Sequence, residues 1–342
     1  MSTTSLTNRQ YLFKSRPEGM PDRSHFELRT SPVREPGDGE IIVRTRYLSV
    51  DPTNRVWMSD VKQYMPPVSA GEVMRAGGAG VVESSRHPDY RAGDLVTGLL
   101  GWQDYNVGRP EEIPFLAPLP KLDAPLSAFL CPLHLTGGLT AYFGLFETAK
   151  PKAGETLVVS AAAGSVGSLV GQMGKIAGCR VVGIAGSEAG CKYVTEELGF
   201  DACINYKTED VAKGLERECP NGVDVDFENV GGEILDAVLD KMNLYGRVAV
   251  CGLIATYNDK EPRPGPTRFP LILMQRLRVE GFIVSDYHAR FPEAVEKIYG
   301  WMKEGKIKWR EHVVEGLENA PEALQMLFLP NKVGKLLIKV SD

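Results

Sequence analysis

Residues 156–167 are Thr-Leu-Val-Val-Ser-Ala-Ala-Ala-Gly-Ser-Val-Gly, which predicts a strand, a turn of small residues and the first turn of a helix. Counted from Ala162, the turn has the pattern Ala-x-Gly-x-x-Gly, one residue away from the fingerprint of dinucleotide-binding folds. Gly164 would let the backbone approach a pyrophosphate, and Gly167 would let the helix pack closely on the sheet. The same residues would also suit a plain tight turn, so the interpretation depends on their surroundings.

The sequence around this turn alternates between predicted strands and predicted helices. The strands are nearly continuous apolar runs, such as Leu157-Val-Val and Val181-Val-Gly-Ile, which is typical of a parallel sheet buried on both faces. The pattern therefore predicts an α/β fold, a Rossmann-type doubly wound parallel sheet with helices on both faces. Expected strands are 155–160, 180–185, 202–205, 223–228, 247–251 and 278–284, and expected helices are 136–146, 166–177, 188–198, 208–218, 233–242 and 292–303.

The first part of the chain has a different texture. It is rich in proline and glycine and carries short strand-like runs at 40–50, 77–83 and 94–100, without a long helical period. This texture predicts a β-rich domain, and the last strand-like run, 335–340, is expected to return to it. We therefore expect two domains, a β-rich one of residues 1–130 with 305–342 and a nucleotide-binding one of residues 131–304.

The overall composition argues against several classes of protein. The chain has 342 residues, of which 43% are hydrophobic and 24% charged, as in ordinary globular proteins. A formal net charge of −5 leaves no broad basic surface for nucleic acid or an anionic membrane. We see neither a signal peptide nor a run of about 18 apolar residues, so we expect a cytoplasmic protein. The six cysteines and five histidines are scattered without metal-ligand spacing, so no metal site is expected.

The residues after the second predicted strand bear on which nucleotide binds. NAD enzymes usually place a carboxylate about 20 residues after the glycine fingerprint, on the adenine ribose. Here that place falls at Gly186 and Ser187, where Ser187 could donate to a 2′-phosphate and Lys192 could neutralise it. Glu188 favours the alternative, because it could bind the ribose in an NAD enzyme, or it could simply stabilise its own helix. We expect NADP(H), with NAD as the alternative.

Short motifs spread over almost the whole chain are shared with a known family. They are Ser15-Arg-Pro-Glu-Gly, Leu48-Ser-Val-Asp-Pro, Gly101-Trp-Gln-Asp-Tyr, Ala161-Ala-Ala-Gly-Ser-Val-Gly, Phe227-Glu-Asn-Val-Gly-Gly, Val250-Cys-Gly-Leu, Gly281-Phe-Ile-Val and Gly316-Leu-Glu-Asn-Ala-Pro. Through them the chain resembles the medium-chain dehydrogenase/reductase superfamily, in its zinc-independent branch of prostaglandin, leukotriene and alkenal reductases. The resemblance implies a GroES-like catalytic domain, a Rossmann domain, NADPH as the cofactor and a homodimer.

The resemblance also implies positions for the cofactor, with two departures from the family pattern. The family lysine at the 2′-phosphate corresponds to Gly190, and Lys192 follows it. The family asparagine before the C-terminal x-Gly-Lys corresponds to Lys332, and Asn331 precedes it. The expected pyrophosphate residues are Gly164, Ser165, Val166 and Gly167, and those at the adenosine end are Ser187, Lys192 and Tyr206. Those around the nicotinamide half are Asn229, the stretch Cys251–Tyr257 (above all Cys251, Gly252, Leu253 and Tyr257), Phe282, Ile283, Val284 and Asn331.

Two tyrosines are candidate hydrogen-bond donors to a substrate carbonyl. Tyr257 follows the fifth predicted strand at its C-terminal end, where cofactor clefts lie, and the family has a donor tyrosine there. Tyr64 lies in the run Asp60-Val-Lys-Gln-Tyr-Met-Pro-Pro and is an alternative or joint donor. Each also has a plain structural interpretation, Tyr257 as a packed loop residue and Tyr64 as a residue that shapes the rim of a pocket.

The resemblance implies an NADPH-dependent reductase that saturates the C=C bond of a small-molecule enone or alkenal by hydride transfer to the β-carbon. Without zinc as an electrophile, hydride addition to an enone is easier than alcohol oxidation, because the resulting charge is delocalised as an enolate. Two alternatives stay open. One is a zinc-independent quinone reductase of the same superfamily, and the other is a non-catalytic NADPH-binding sensor or structural protein.

Overall fold

The computed structural model describes residues 6–329 and 332–342. Contacts between Cα atoms divide these residues into two compact units. The first unit comprises 6–130, Val313–Phe328 and Leu336–Asp342, and the second comprises Cys131–His312 together with residues 329 and 332–335.

The C-terminal part of the chain is divided differently from the expectation. Residues 305–312 and 332–335 belong to the second unit, whereas the sequence analysis assigns them to the β-rich domain. Hydrogen bonds explain this placement. The Gln172 side chain accepts from the Lys308 amide at 2.8 Å and donates to the Lys308 carbonyl at 2.9 Å, and the Gly334 amide donates to the Ala163 carbonyl at 2.8 Å.

Antiparallel strands form most of the first unit, and their buried residues pack on Trp57 and Trp102. Most buried positions of the strand Ile41–Ser49 are apolar, namely Ile41, Ile42, Val43 and Leu48, and Thr45 and Ser49 are buried with them. In chain order, the elements that begin this unit are β1 (Thr7–Phe13), β2 (Phe26–Pro32), β3 (Ile41–Ser49), α1 (Pro52–Trp57), β4 (Gly78–Ser85), β5 (Leu95–Gly98), β6 (Tyr105–Gly108) and β7 (Ala117–Pro118).

The second unit alternates strands and helices, as the sequence predicts. A helical segment at 135–149, partly π-helical in its hydrogen bonding, contains α2 (Thr140–Phe143). The other elements are β8 (Thr156–Val159), α3 (Ser165–Ile176), β9 (Arg180–Ala185), α4 (Glu188–Lys192), β10 (Ala202–Asn205), α5 (Val211–Glu218), β11 (Val223–Glu228), α6 (Gly232–Lys241), β12 (Met242–Val250), α7 (Pro270–Met274), β13 (Arg278–Gly281) and α8 (Phe291–Lys303).

The strands of the second unit form a six-stranded parallel sheet in the order β10-β9-β8-β11-β12-β13. This order confirms the doubly wound α/β fold. The chain moves outward from β8 to β9 and β10 and then returns to β11 on the other side of β8. Ligands of such sheets bind beyond the carboxyl ends of the strands at this reversal, between β8 and β11.

The remaining elements are β14 (Glu311–Glu315), α9 (Ala320–Met326) and β15 (Lys335–Lys339). Strand β15 runs antiparallel to β3, with Leu337 opposite Ser49. The prediction that the last strand returns to the β-rich part is therefore confirmed. The larger sheet of the first unit has the order β14-β15-β3-β4-β5-β7, and β6 also pairs with β3.

Helix α3 packs on the sheet through glycines. A Cβ atom at Gly171 would lie 1.7 Å from a ring carbon of Phe200, and one at Gly174 would lie 2.5 Å from Cδ2 of Leu157. Carbon atoms in contact normally stay about 3.5–4.0 Å apart. The helix can therefore approach the sheet this closely only because these positions have no side chain.

We predict that Gly171→Ala destabilises the second unit. The added methyl group would push the buried Phe200 ring out of its place, and overpacking of this kind costs about 1–3 kcal/mol. Urea unfolding followed by circular dichroism measures the change. Gly300→Ala in α8 is the matched control, because a Cβ atom there meets nothing within 4 Å. A Gly171→Ala protein as stable as the wild type would contradict the packing described for α3.

Candidate active site

A glycine-lined turn joins β8 to α3. Ala161 adopts a left-handed backbone conformation, with φ of 49°, and its carbonyl accepts from the Gly164 amide at 2.9 Å. Gly164 then caps α3 in an extended conformation without a side-chain hydrogen bond. The first amides of this helix are thus presented without a side-chain cap, at the positive end of the helix dipole.

The shape of this turn suits a bound pyrophosphate. A Cβ atom at Gly167 would lie 2.5 Å from the Ala161 carbonyl oxygen, so any other residue would displace the turn or the helix. At Gly164 the same oxygen would be 3.2 Å away. The expected residues Ser165 and Val166 stand between these glycines at the start of α3. The turn therefore offers an anion a cradle of backbone amides, and this cradle fits the phosphates of a dinucleotide.

Gly334 packs against the same turn. It has a φ of 80°, donates its amide to Ala163 and pairs with Gly164 in an isolated parallel bridge. A Cβ atom at Gly334 would lie 2.2 Å from the carbonyl oxygen of Arg310. The sequence analysis missed this contact, although the C-terminal x-Gly-Lys motif pointed to it. Asn331, expected at the nicotinamide, lies outside the described residues.

The residues expected at the adenosine end follow β9 and β10. Ser187 caps α4 by accepting from the Gly190 amide at 3.1 Å. The Tyr206 hydroxyl comes within 2.8 Å of the position that a Cβ atom would occupy at Gly186. Because β9 and β10 are adjacent and parallel, Ser187 and Tyr206 stand at the same edge of the sheet.

The charges at this end are distributed differently from the expectation. Lys192 Nζ lies 2.7 Å from Glu188 Oε1, so the expected phosphate-binding lysine is paired with the carboxylate that favoured NAD. Both side chains are well exposed, and ion pairs of this kind are weak. Lys207, which the sequence analysis overlooked, has its Nζ 5.1 Å from the centre of the Tyr206 ring. It forms no ion pair with the residues that the structure describes.

Hydrogen bonds tie the end of β8 to the end of β11. The Asn229 amide donates to Ser160 Oγ at 2.7 Å, and Asn229 Nδ2 donates to the Ser160 carbonyl at 2.8 Å. Ser160 Oγ in turn donates to Glu228 Oε1 at 2.9 Å. Asn229 is therefore held at the sheet edge between β8 and β11, with its amide group already bonded to the backbone. Ser160 and Glu228 are polar residues of this site that the sequence analysis missed.

A pocket of about 440 Å³ lies in the second unit beyond the carboxyl ends of β12 and β13. Several residues expected around the nicotinamide line it, among them Cys251, Gly252, Leu253, Tyr257, Phe282 and Ile283, whereas Asn229 and Val284 do not. Residues 282–284 were expected to be part of a strand, but β13 ends at Gly281 and they follow it. The lining also includes Thr256, which belongs to the expected stretch from Cys251 to Tyr257, and Val250, Gly281 and Asp286, which were not predicted.

Tyr257 closes the turn that forms one wall of this pocket. Its hydroxyl oxygen accepts from the Leu253 amide at 3.1 Å, and a Cβ atom at Gly252 would lie 3.1 Å from the same oxygen. A hydroxyl group that accepts a hydrogen bond becomes a stronger donor. The neighbouring Cys251 is a weak candidate for chemistry, since burial raises the pKa of its thiol to about 12 and keeps it protonated.

Tyr64 belongs to the first unit. Its hydroxyl accepts from the indole Nε1 of Trp57 at 3.1 Å and forms a hydrogen bond with Thr53 Oγ1. Burial raises the pKa of this phenol, although 46% of the residue is exposed. The hydroxyl therefore stays protonated at neutral pH and is already engaged by two side chains of its own unit.

Two further properties concern the whole of the described chain. Residues 6–329 and 332–342 contain no group of three or more His, Cys, Asp or Glu side chains that could hold a metal ion. Within the same residues, every helix is too short or too polar to cross a bilayer.

Comparisons with known proteins place this chain in a family. Residues 9–115 match the N-terminal domain of oxidoreductase, and residues 165–299 match the zinc-binding dehydrogenase family. The chain is 44% identical to the NADPH-dependent curcumin reductase of Escherichia coli K12, covering 100% of this chain and 99% of the relative. It is 40% identical to a 2-alkenal reductase (NADP(+)-dependent) of Nicotiana tabacum, over 98% of each chain.

A solved structure agrees with these relatives. The structure of CurA from Vibrio vulnificus in complex with NADPH superposes with a TM-score of 0.92 at 42% identity, covering 98% of this chain and 99% of that chain. The resemblance inferred from the short motifs is thereby confirmed. The chain belongs to the medium-chain dehydrogenase/reductase superfamily, in the zinc-independent branch that contains curcumin, alkenal and prostaglandin reductases.

Proposed function

We propose that this protein is an NADPH-dependent reductase that saturates the carbon–carbon double bond of α,β-unsaturated ketones and aldehydes. One structural observation supports it most. A tyrosine-walled pocket beyond β12 and β13 and a glycine cradle after β8 lie at the carboxyl edge of one sheet. That arrangement suits a dinucleotide whose reactive end reaches the pocket. The full-length relatives named for curcumin and 2-alkenals narrow the substrate to conjugated carbonyl compounds.

NADPH, when bound, supplies a hydride for the β-carbon of the substrate. The chain binds and orients it through three groups of residues. Gly164, Ser165, Val166 and Gly167 would hold the pyrophosphate, and Ser187, Lys192 and Tyr206 would hold the adenosine end. Asn229, Cys251, Gly252, Leu253, Tyr257, Phe282, Ile283 and Val284 would surround the nicotinamide half.

The protein's own contribution to the reaction is a hydrogen bond to the substrate oxygen. Negative charge develops on that oxygen as the enolate forms, and a donor placed in advance stabilises it. Tyr257 is the proposed donor, because it lines the pocket and its oxygen accepts from the Leu253 amide. Tyr64 is the joint or alternative donor, and it gives up its bond with Thr53 only where the tyrosine hydroxyl is the donor of that bond.

The domain roles, the assembly and the location are parts of the same proposal. We assign catalysis to the β-rich first unit and cofactor binding to the second unit, which includes residues 305–312 and 332–335. The two-fold dimer would form at β13, an edge strand of its sheet on which Val279 is 42% exposed. Exposed edge strands readily pair with a second copy. The proposed location is the cytoplasm.

We predict that the protein oxidises NADPH in the presence of enones and alkenals, and NADH more slowly. A panel of enones, alkenals and quinones, followed by the absorbance of the reduced nicotinamide, tests this. Turnover of quinones alone would identify a quinone reductase instead. Tight NADPH binding without oxidation by any member of the panel would indicate a binding protein.

A second prediction concerns the 2′-phosphate. If Lys192 leaves Glu188 to bind it, Lys192→Ala should raise the KM for NADPH on the order of tenfold and leave that for NADH nearly unchanged. Steady-state kinetics with both cofactors measures this. Lys207→Ala is the matched comparison. If only Lys207→Ala raises the KM for NADPH without raising that for NADH, Lys207 is the residue that contacts the phosphate.

A third prediction concerns Tyr257. Tyr257→Phe keeps the ring but removes both the proposed donor and the acceptor of the Leu253 amide, so kcat should fall at least about tenfold while the Kd for NADPH rises by a much smaller factor. Adding Tyr64→Phe should have a non-additive effect if both hydroxyls serve one oxygen. The exposed Tyr245→Phe is the control. The decisive condition is that a primary isotope effect shows hydride transfer to be rate-limiting. If Tyr257→Phe then has the kcat of the wild type, Tyr257 has no part in the mechanism.

A further inference from the structure

Glu228 is a fully buried acidic residue at the carboxyl end of β11, with 0% of its surface exposed. Its Oε1 accepts from the Gly231 amide at 2.8 Å, from Ser160 Oγ at 2.9 Å and from the Val230 amide. Oε2 has no hydrogen-bond partner among the described residues. Burial raises the pKa of Glu228, and these donors oppose the shift. A single carboxyl oxygen thus accepts from two successive amides of the turn that follows β11.

That turn supports the wall of the pocket. The carbonyl of Asn229 accepts from the Ile254 amide at 3.1 Å, and the carbonyl of Val230 accepts from the Ala255 amide at 3.0 Å. The amides of Cys251 and Gly252 donate to the Glu228 carbonyl at 2.9 and 3.1 Å. The segment that carries the Tyr257 hydroxyl is therefore bonded, amide by amide, to residues 228–230.

Gly231 in this turn has a backbone conformation and a close neighbour that leave little room for a side chain. It has a φ of 78°, and a Cβ atom there would lie 3.1 Å from Cδ2 of Leu253. The turn thus touches the pocket segment by packing as well as by hydrogen bonds. If the Glu228 acceptor were lost, two backbone amides and one hydroxyl would be left buried without it, and the turn would relax toward other partners.

We infer that Glu228 is a positioning residue, whose carboxyl group holds residues 229–231 and, through them, the 251–257 segment in the shape that receives the nicotinamide half of NADPH. The inference rests on the proposed function for the identity of the ligand. Glu228 itself is buried under the turn and would not touch the cofactor. Its removal should therefore affect the nicotinamide half of the site and spare the adenosine half.

The experiment compares binding of NADPH with binding of 2′,5′-ADP, which lacks the nicotinamide half, by isothermal titration calorimetry. Glu228→Ala should raise the Kd for NADPH at least about tenfold and change that for 2′,5′-ADP less than about twofold. Glu228→Gln keeps an oxygen acceptor and should recover most of the NADPH affinity. Equal losses for both ligands, or no loss for NADPH, would overturn the inference.

Asp226→Asn is the matched control. Asp226 lies on the same face of β11, fully buried, and neither of its carboxyl oxygens has a partner among the described residues. This variant should leave both Kd values within about twofold of the wild type. An NADPH-specific loss as large as that of Glu228→Ala would show that any buried charge change in β11 has this effect, which would overturn the role assigned to Glu228.

Ser160→Ala keeps the test decisive if Glu228→Ala does not fold. It removes one donor to Glu228 and the acceptor of the Asn229 amide, so NADPH affinity should fall at least about threefold with 2′,5′-ADP unaffected. Unchanged NADPH binding in Ser160→Ala would overturn the inference. Failure of the proposed function would look different, because the wild type itself would then oxidise no NADPH with any enone or alkenal of the panel, whether or not it binds NADPH.

Discussion

The close approach of helix α3 to the sheet is the constraint on which the cofactor site depends. Gly167 stands where a Cβ atom would meet the Ala161 carbonyl oxygen at 2.5 Å, and Gly174 stands where it would meet Leu157. Because α3 begins directly after the turn from β8, its distance from the sheet sets the position of its first amides. Those amides carry the partial positive charge of the helix end. The glycines of α3 therefore allow close packing and also fix the position of a partial positive charge.

A second level of organisation lies in the polar groups buried at the strand ends. Burying a carboxyl group is unfavourable unless hydrogen bonds compensate for the lost water. At Glu228 the compensation comes from the turn that follows its own strand and from Ser160 on the neighbouring strand. The carboxyl group thus needs the amides of the turn as donors, and the turn needs the carboxyl oxygen as an acceptor. Since Asn229 is bonded to Ser160 as well, the phosphate side and the pocket side of the site are connected through one small network.

The sequence was sufficient for the alternation of strands and helices in the second unit because the signals of that alternation are local. Apolar runs bounded by turns predicted the strands, and the glycines of 164–167 predicted the turn and α3. The network at the strand ends could not be found this way, because Ser160 and Glu228 are 68 residues apart and neither belongs to a periodic pattern. Lys192 shows the opposite case, since its ion pair with Glu188 follows from the i,i+4 spacing alone. Its contact with a phosphate stays a prediction, as do the roles of the two tyrosines.

The central claim is that a hydride reaches the β-carbon of a conjugated carbonyl compound. The most direct test is to incubate the protein with an enone and NADPH deuterated at C4 of the nicotinamide, and to locate the label by nuclear magnetic resonance. The account predicts a saturated ketone with deuterium on the β-carbon. Deuterium on the carbonyl carbon of an allylic alcohol would contradict it, because the reaction would then be a carbonyl reduction.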